Sequence, residues 1–297
     1  MLNRKHLTYN LEYIFLRIVQ SAFKALPRRV ALTIGLLLGT FLYFSGAYRK
    51  TVKKNLQHTG IIPESEIKKF TYSLYRNMGL YITDFLRGGA KTPPYNVQNF
   101  DLINEKLRRG NGVIVLLAHL GNWEILADIF GSKVGNVNVV AKPMKNPIVE
   151  NWLHKKRCGA NTNTIYTRNA LRKMYEALIK NQCVAILIDQ HVSKKMGTPA
   201  PFLGKTANTV RTVAGLIKKT GTPVVVVHGI MTKNYSYDIH IQEIQPPDLT
   251  GLSNDEAITM LQTQHNDVLS ELIRKYPEHW FGWFHKRFKG YINYKEC

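Results

Sequence analysis

Val113-Ile-Val-Leu-Leu-Ala-His119-Leu-Gly-Asn-Trp-Glu124 decides how this chain is read. Residues 113 to 118 are apolar and rich in β-branched side chains, the pattern of a buried strand. His119 stands where that strand ends. Gly121-Asn122 then bends the chain into an expected helix, Trp123-Glu-Ile-Leu-Ala-Asp-Ile-Phe130. In an open α/β sheet, ligands sit in the crevice beyond the carboxyl ends of the strands. An imidazole there titrates near neutral pH, and a carboxylate five residues later, Glu124, can turn back to hold it. The pair has what general-base activation of a hydroxyl requires. His-Glu-x-x-His is absent, so no metal site is expected here.

Downstream, the same grammar repeats. Asn138-Val-Val-Ala-Lys142 reads as a second strand running into a polar loop, followed by a helix over 149–157 and a return to the sheet over 161–168. Residues 169–180 have Leu171, Met174, Tyr175 and Leu178 on one helical face. Cys183-Val-Ala-Ile-Leu-Ile188 is another buried strand, ending in Asp189-Gln190. Its end matches that of the His119 strand, which makes Asp189 and Gln190 candidate site residues and not only turn residues. Residues 191–202, with Gly197, Pro199 and Pro201, read as an exposed loop. A helix is expected over 210–220, with Thr209 as its N-cap and Gly221 as its stop. Residues 223–228 form a further strand, and 237–244 alternate as a half-exposed, antiparallel strand near an edge. Ser253-Asn-Asp-Glu256 is a capping box opening a helix to about Lys275. This strand–helix alternation points to an α/β fold without giving the strand order.

Upstream, residues 1–29 carry apolar positions at helical spacing, interrupted at Pro27. Residues 30–48 then run without a charge, just long enough to span a bilayer core. Basic residues flank them: Lys24, Arg28 and Arg29 before, Arg49, Lys50, Lys53 and Lys54 after. Residues 1–58 are therefore expected to form a membrane-anchoring segment, and residues 59–297 the catalytic domain. A signal peptide fits poorly, because the apolar core begins late and no cleavage site follows. An amphipathic helix is expected over 64–87, stopped by Gly88-Gly89.

The composition narrows the class. Forty-one Lys and Arg against twenty Asp and Glu leave a formal charge of +21, which suits a polyanionic partner such as nucleic acid, an anionic membrane or phosphorylated lipid. Cys158, Cys183 and Cys297 are scattered, so neither a zinc module nor a disulfide framework is supported. No internal repeat is evident.

Three phrases tie these elements to a known family. His119-Leu-Gly-Asn-Trp-Glu124 resembles the signature of the late acyltransferases of lipid A biosynthesis, the lauroyl and myristoyl transferases. Residues 202–209 resemble the loop before that family's next helix. Tyr276-Pro-Glu-His-Trp-Phe-Gly-Trp-Phe-His-Lys-Arg-Phe-Lys289 resembles its carboxyl-terminal motif. The basic phrase 48–56 is similar too. Where the family usually has Arg-Pro-x-x-Asn-Pro, this chain has Lys142, which keeps the charge but loses the bidentate fork.

The resemblance implies a glycerolipid-acyltransferase-like fold, a mixed sheet wrapped by helices. It implies acyl transfer from a thioester, carried by acyl-carrier protein or coenzyme A, to a hydroxyl of a lipid A precursor at the bacterial inner membrane, on the cytoplasmic side. His119 would be the base and Glu124 its orienting acid, with no other cofactor. Asn122, Lys142, Arg168, Asp189, Gln190 and Arg211 are candidate substrate contacts, the cations for phosphate. Oxyanion donors are expected among the helix-start amides near Gly121 or a nearby cation. Two other readings remain open at this level: an acyl-CoA-dependent enzyme acting on another lipid, and a non-catalytic basic protein. In the latter, Trp280, Phe281, Trp283 and Phe284 would stack on bases or face anionic lipid. The absence of a nucleic-acid motif and the apolar segment favour the bilayer.

Overall fold

The computed structural model describes residues 4–88, 92–158 and 161–295; Gly89 and Cys297 lie outside them. Four helices come first: α1 (Arg4–Ala25), α2 (Arg28–Phe44), α3 (Arg49–Thr59) and α4 (Ile67–Arg87). Then follow β1 (Tyr95–Gln98), α5 (Asp101–Leu107), β2 (Val113–Leu117), α6 (Trp123–Val134), β3 (Val137–Ala141), α7 (Pro147–Cys158), β4 (Thr162–Tyr166), α8 (Ala170–Ile179) and β5 (Cys183–Leu187). The last third holds β6 (Gly197–Phe202), β7 (Lys205–Val210), α9 (Thr212–Thr220), β8 (Val224–Met231), β9 (Tyr237–Ile244) and α10 (Asn254–Lys275). Two 3-10 turns, Pro277–His279 and Phe281–Phe284, close it.

The main sheet has seven strands in the order β1-β9-β8-β2-β5-β3-β4. Every neighbouring pair is parallel except β8–β9, so the sheet is mixed and flanked by helices. β2 lies between β5 and β8, and all five of its residues are buried. Cover on both faces is why this strand reads as an unbroken apolar run. β9 alternates as expected, with Tyr237, Ile239, Ile241 and Ile244 buried. It is not the edge, because the four-residue β1 pairs outside it. The capping box forms: the Ser253 side chain accepts from the Glu256 amide, and the Glu256 carboxylate accepts from the Ser253 amide at 2.8 Å.

Residues 197–202 are not loop but β6, paired antiparallel with β7. Its prolines, Pro199 and Pro201, sit on a two-stranded ribbon, where missing ladder donors are tolerated, and Phe202 is fully buried. Thr209 is therefore a strand residue and not an N-cap. Its hydroxyl accepts from Arg287 and Asn266, and α9 starts only after Arg211.

The amino-terminal anchor also differs from expectation. α2 ends at Phe44, and the chain turns through Ser45-Gly46 and a left-handed Tyr48 into α3. Its 17 residues reach about 25 Å. Among the described residues no single helix is long and apolar enough to cross a membrane; α2 and α3 together qualify only by length and composition, and bend by 83°. One face of α2, through Ala31, Leu32, Gly35, Gly39 and Tyr43, is buried. That face meets α4 backbone to backbone: a Cβ on Gly79 would lie 2.0 Å from the Gly35 carbonyl oxygen. Arg28 clamps the buried Asp84 with two bonds of 2.9 and 2.6 Å. The opposite faces of α1 and α2 expose Ile14, Phe15, Ile18, Leu37, Phe41 and Phe44.

Candidate active site

The register Leu117↔Leu187 places His119 and Asp189 side by side, each two residues past the last pair of adjacent parallel strands. Asp189 is fully buried. One of its oxygens lies 2.8 Å from His119 Nδ1. The other accepts the His119 backbone N–H at 2.9 Å and the Trp280 indole N–H at 2.7 Å. Burial opposes charge on Asp189, but the adjacent imidazole and these donors win and hold the carboxyl down at about 2. Burial likewise opposes charge on His119, and the attraction of Asp189, with a smaller contribution from Glu124, lifts its pKa above the ordinary value. An ionised Asp189 at Nδ1 fixes the proton there and turns the Nε2 lone pair outward. Gln190 Nε2 lies 3.1 Å from His119 Nε2, and the Trp123 ring meets the imidazole edge-on at 4.8 Å.

The carboxylate on the ring is thus Asp189 and not Glu124. The first turn of α6 aims Glu124 at Arg157 of α7, bound at 2.6 and 3.2 Å. Arg157 is itself buried, so this is a charge pair set into the wall beside His119. Asn122 is buried and turned inward. Its side chain accepts the Ile125 amide as the α6 N-cap and donates to the Tyr81 carbonyl and the Tyr237 hydroxyl. Its side-chain polar atoms are thus engaged within the fold, and it does not line the cavity described below. Gly121 has φ +66, and a Cβ there would lie 1.9 Å from the Gly229 carbonyl oxygen, so only glycine allows this turn. The Gly121 and Asn122 amides are used, donating to His279 and Gly229 carbonyls. The next two amides, of Trp123 and Glu124, have no backbone acceptor among the described residues.

Lys142 is exposed and lines the cavity described below. Arg168 is exposed and does not line it. Arg211 is turned away to Asp255. Of the expected phosphate-gripping cations, only Lys142 is therefore at the site.

The sequence reading missed the brace behind the site. The carboxyl-terminal motif packs directly beneath His119: the Phe281 amide donates to the His119 carbonyl at 2.8 Å, and Leu120 bridges Trp280. Arg287 is fully buried without an ion-pair partner among the described residues. It donates to the Gln190 carbonyl at 3.0 Å, the Asn208 carbonyl and the Thr209 hydroxyl, and its guanidinium lies over Phe202. Burial lowers its pKa to about 10, opposed by the field of Asp189. Asn55 of α3 ties the motif down by donating to the Trp283 and His285 carbonyls, both at 2.8 Å. The only advance signal was the motif itself, an aromatic-basic phrase too regular for a surface tail. Trp280 and Trp283 are fully buried, so they offer no faces for stacking on bases.

A cavity of about 720 Å³ opens beside His119 and extends inward among Val115, Leu117, Leu126, Val139, Met174 and Ala185. Its wall is mostly apolar, with Glu124, Arg157 and Gln190 among its polar members, and Met144, Leu171 and Met196 are exposed where it meets solvent. Cys183 also borders it, but burial in the strand pushes its thiol up to about 12, which suits packing and not nucleophilic attack. The geometry thus puts an imidazole, paired with a buried carboxylate, at the head of a mostly apolar slot.

The Escherichia coli (strain K12) protein named lipid A biosynthesis palmitoleoyltransferase is 23% identical over 279 residues, which cover 89% of this chain and 86% of that protein. The Shigella flexneri lipid A biosynthesis acyltransferase matches to the same extent. The family profile described as bacterial lipid A biosynthesis acyltransferase matches residues 2–290, and with nearly the whole chain covered, the protein belongs to that family.

Proposed function

We propose that this acyltransferase moves a fatty acyl group from an acyl thioester, carried by acyl-carrier protein, to a hydroxyl of a lipid A precursor, with His119 as general base. The observation that carries the reading is the buried Asp189–His119 pair at the head of an aliphatic cavity. Nε2 takes the hydroxyl proton while Nδ1–H stays on Asp189. The oxygen attacks the thioester carbonyl. The tetrahedral intermediate then collapses to the ester, and the imidazolium returns the proton to the leaving thiolate. The amides of Trp123 and Glu124 at the start of α6, which have no backbone acceptor among the described residues, and the second N–H of the Gln190 amide are the donors for the oxyanion. Glu124, paired with Arg157, adds negative potential that favours the imidazolium. No protein nucleophile and no cofactor enter these steps.

The acyl chain lies in the aliphatic cavity. Lauroyl and myristoyl donors follow from the sequence resemblance, and the palmitoleoyl donor from the name of one relative. The exposed apolar faces of α1 and α2, flanked by Lys24, Arg29, Lys50 and Lys53, support docking in the plane of the inner membrane, at its anionic cytoplasmic face where thioester donors are made.

The test is purified protein with labelled acyl-carrier protein or acyl-CoA and a panel of lipid A precursors and lysophospholipids, the products read by mass spectrometry. Ester formation on a lipid A precursor from the carrier-bound donor is expected. Transfer to lysophospholipid alone, from acyl-CoA, would replace the proposal with the broader acyltransferase reading.

A further inference from the structure

A second pocket, of about 510 Å³, lies between the turn that ends α2, the start of α3 and the start of α4. It shares no lining residue with the cavity at His119. Arg49, Lys50 and Lys53 line it from α3 and Lys68 from α4, against a single carboxylate, Glu64. α3 buries Val52, Asn55, Leu56 and Thr59, so its cations at positions 49, 50 and 53 are left on the solvent side. Among the described residues none of the four cations is in an ion pair, and Glu64 is occupied by the Gln57 amide at 2.9 Å. The Arg49 guanidinium lies 4.8 Å from the centre of the Tyr43 ring, an arrangement that orients its plane and leaves N–H edges for an acceptor. Convergent, unneutralised cations repel one another, and an anion in the pocket relieves that repulsion.

The surroundings identify the kind of anion. Phe41, Phe44 and Tyr48 are each about two-thirds exposed, immediately before the first of these cations. Gly46, with φ +78 and open space where a side chain would be, leaves the rim clear. Apolar rings beside a cationic hollow reproduce the layering of a lipid leaflet, chains first and phosphate next. We propose that this pocket binds the phosphate of an anionic lipid headgroup, a lipid site apart from the acyl-transfer centre. Arg49 offers a bidentate fork, and the three lysines offer compact charges that follow the phosphate oxygens.

The experiment uses the full chain in neutral detergent and reads binding without turnover, so failure of the acyl-transfer reading leaves this one standing. The probes are short-chain phosphatidate, short-chain phosphatidylcholine and inorganic phosphate. Lys50→Ala/Lys53→Ala/Lys68→Ala should weaken phosphatidate binding by about tenfold or more. Lys173→Ala/Lys180→Ala/Lys233→Ala, an equal charge loss on exposed positions elsewhere, should stay within about twofold of wild type. Phosphatidylcholine should bind weakly to all three. Should the first triple variant unfold, the single Lys68→Glu at the exposed start of α4 replaces it, with the same direction expected. Equal losses in both triples, or no loss in the first, overturn the proposal. So does displacement of phosphatidate by inorganic phosphate at matching concentration, which would assign the pocket to free phosphate.

Discussion

Trp280 donates its indole N–H, at 2.7 Å, to the same Asp189 oxygen that accepts the backbone amide of His119. The other Asp189 oxygen is thereby committed to the imidazole. A carboxylate held from three directions cannot swing away, so the proton on Nδ1 stays where the proposed chemistry needs it.

Asp189→Asn should lower kcat by at least about a hundredfold, the scale of a misplaced base. An amide at that position can donate to Nδ1 and move the ring proton to Nε2, the wrong nitrogen. His119→Ala should fall by a similar factor. The double variant should be little worse than either single one, because the two act as a unit. Steady-state kinetics on variants with wild-type circular dichroism checks this, and additive losses would contradict it.

The pH profile carries a sign. The base works only when neutral, so kcat/KM falls as pH drops through the His119 pKa. Asp189 first, and Glu124 less, lift that pKa in the free enzyme, which puts the acid limb above the ordinary histidine value near 6.5. In Glu124→Gln the limb should move to lower pH, and in Asp189→Asn, where residual activity allows, it should move further. An unmoved limb in both variants would remove His119 as the titrating group.

Cavity depth should set the acyl preference. Ala185 is almost fully buried on the interior strand β5 and lines the cavity. Ala185→Leu should raise KM for long-chain donors by roughly tenfold relative to short ones, within the range that a few methylenes discriminate. Competition between thioesters of different length measures the ratio.

Gly79→Ala tests the union of α2 with α4. Its Cβ would press on the Gly35 carbonyl, which is backbone and cannot rotate aside. A cost of about 1–3 kcal/mol is expected, read as a lower denaturation midpoint and faster proteolysis of α2. An unchanged midpoint would mean that the helices separate without penalty.

What the sequence made legible followed from local physics. The β2 and β5 runs, the helix over 169–180 and the Ser253–Glu256 capping box are each specified by neighbouring residues, and each forms. His119 and Asp189 were legible as strand ends. Their pairing was not, because it depends on β2 and β5 being adjacent in the sheet. Glu124 was matched to His119 on proximity in sequence; the direction of α6 and an arginine thirty-three residues later decided otherwise. The β6 ribbon was hidden by its prolines, and Arg287 by the rule that arginines are exposed.

The brace under His119 has a consequence for how the enzyme comes into being. Residues 276–289 follow every strand of the sheet in chain order, yet they supply the Phe281 amide, the Trp280 indole and the Arg287 guanidinium that fix the reactive ends of β2 and β5. All the strands are thus made before these donors are. A chain cut before Trp280 would keep every strand yet lack the donors that fix the His119 imidazole, and it is expected to show no acyl transfer.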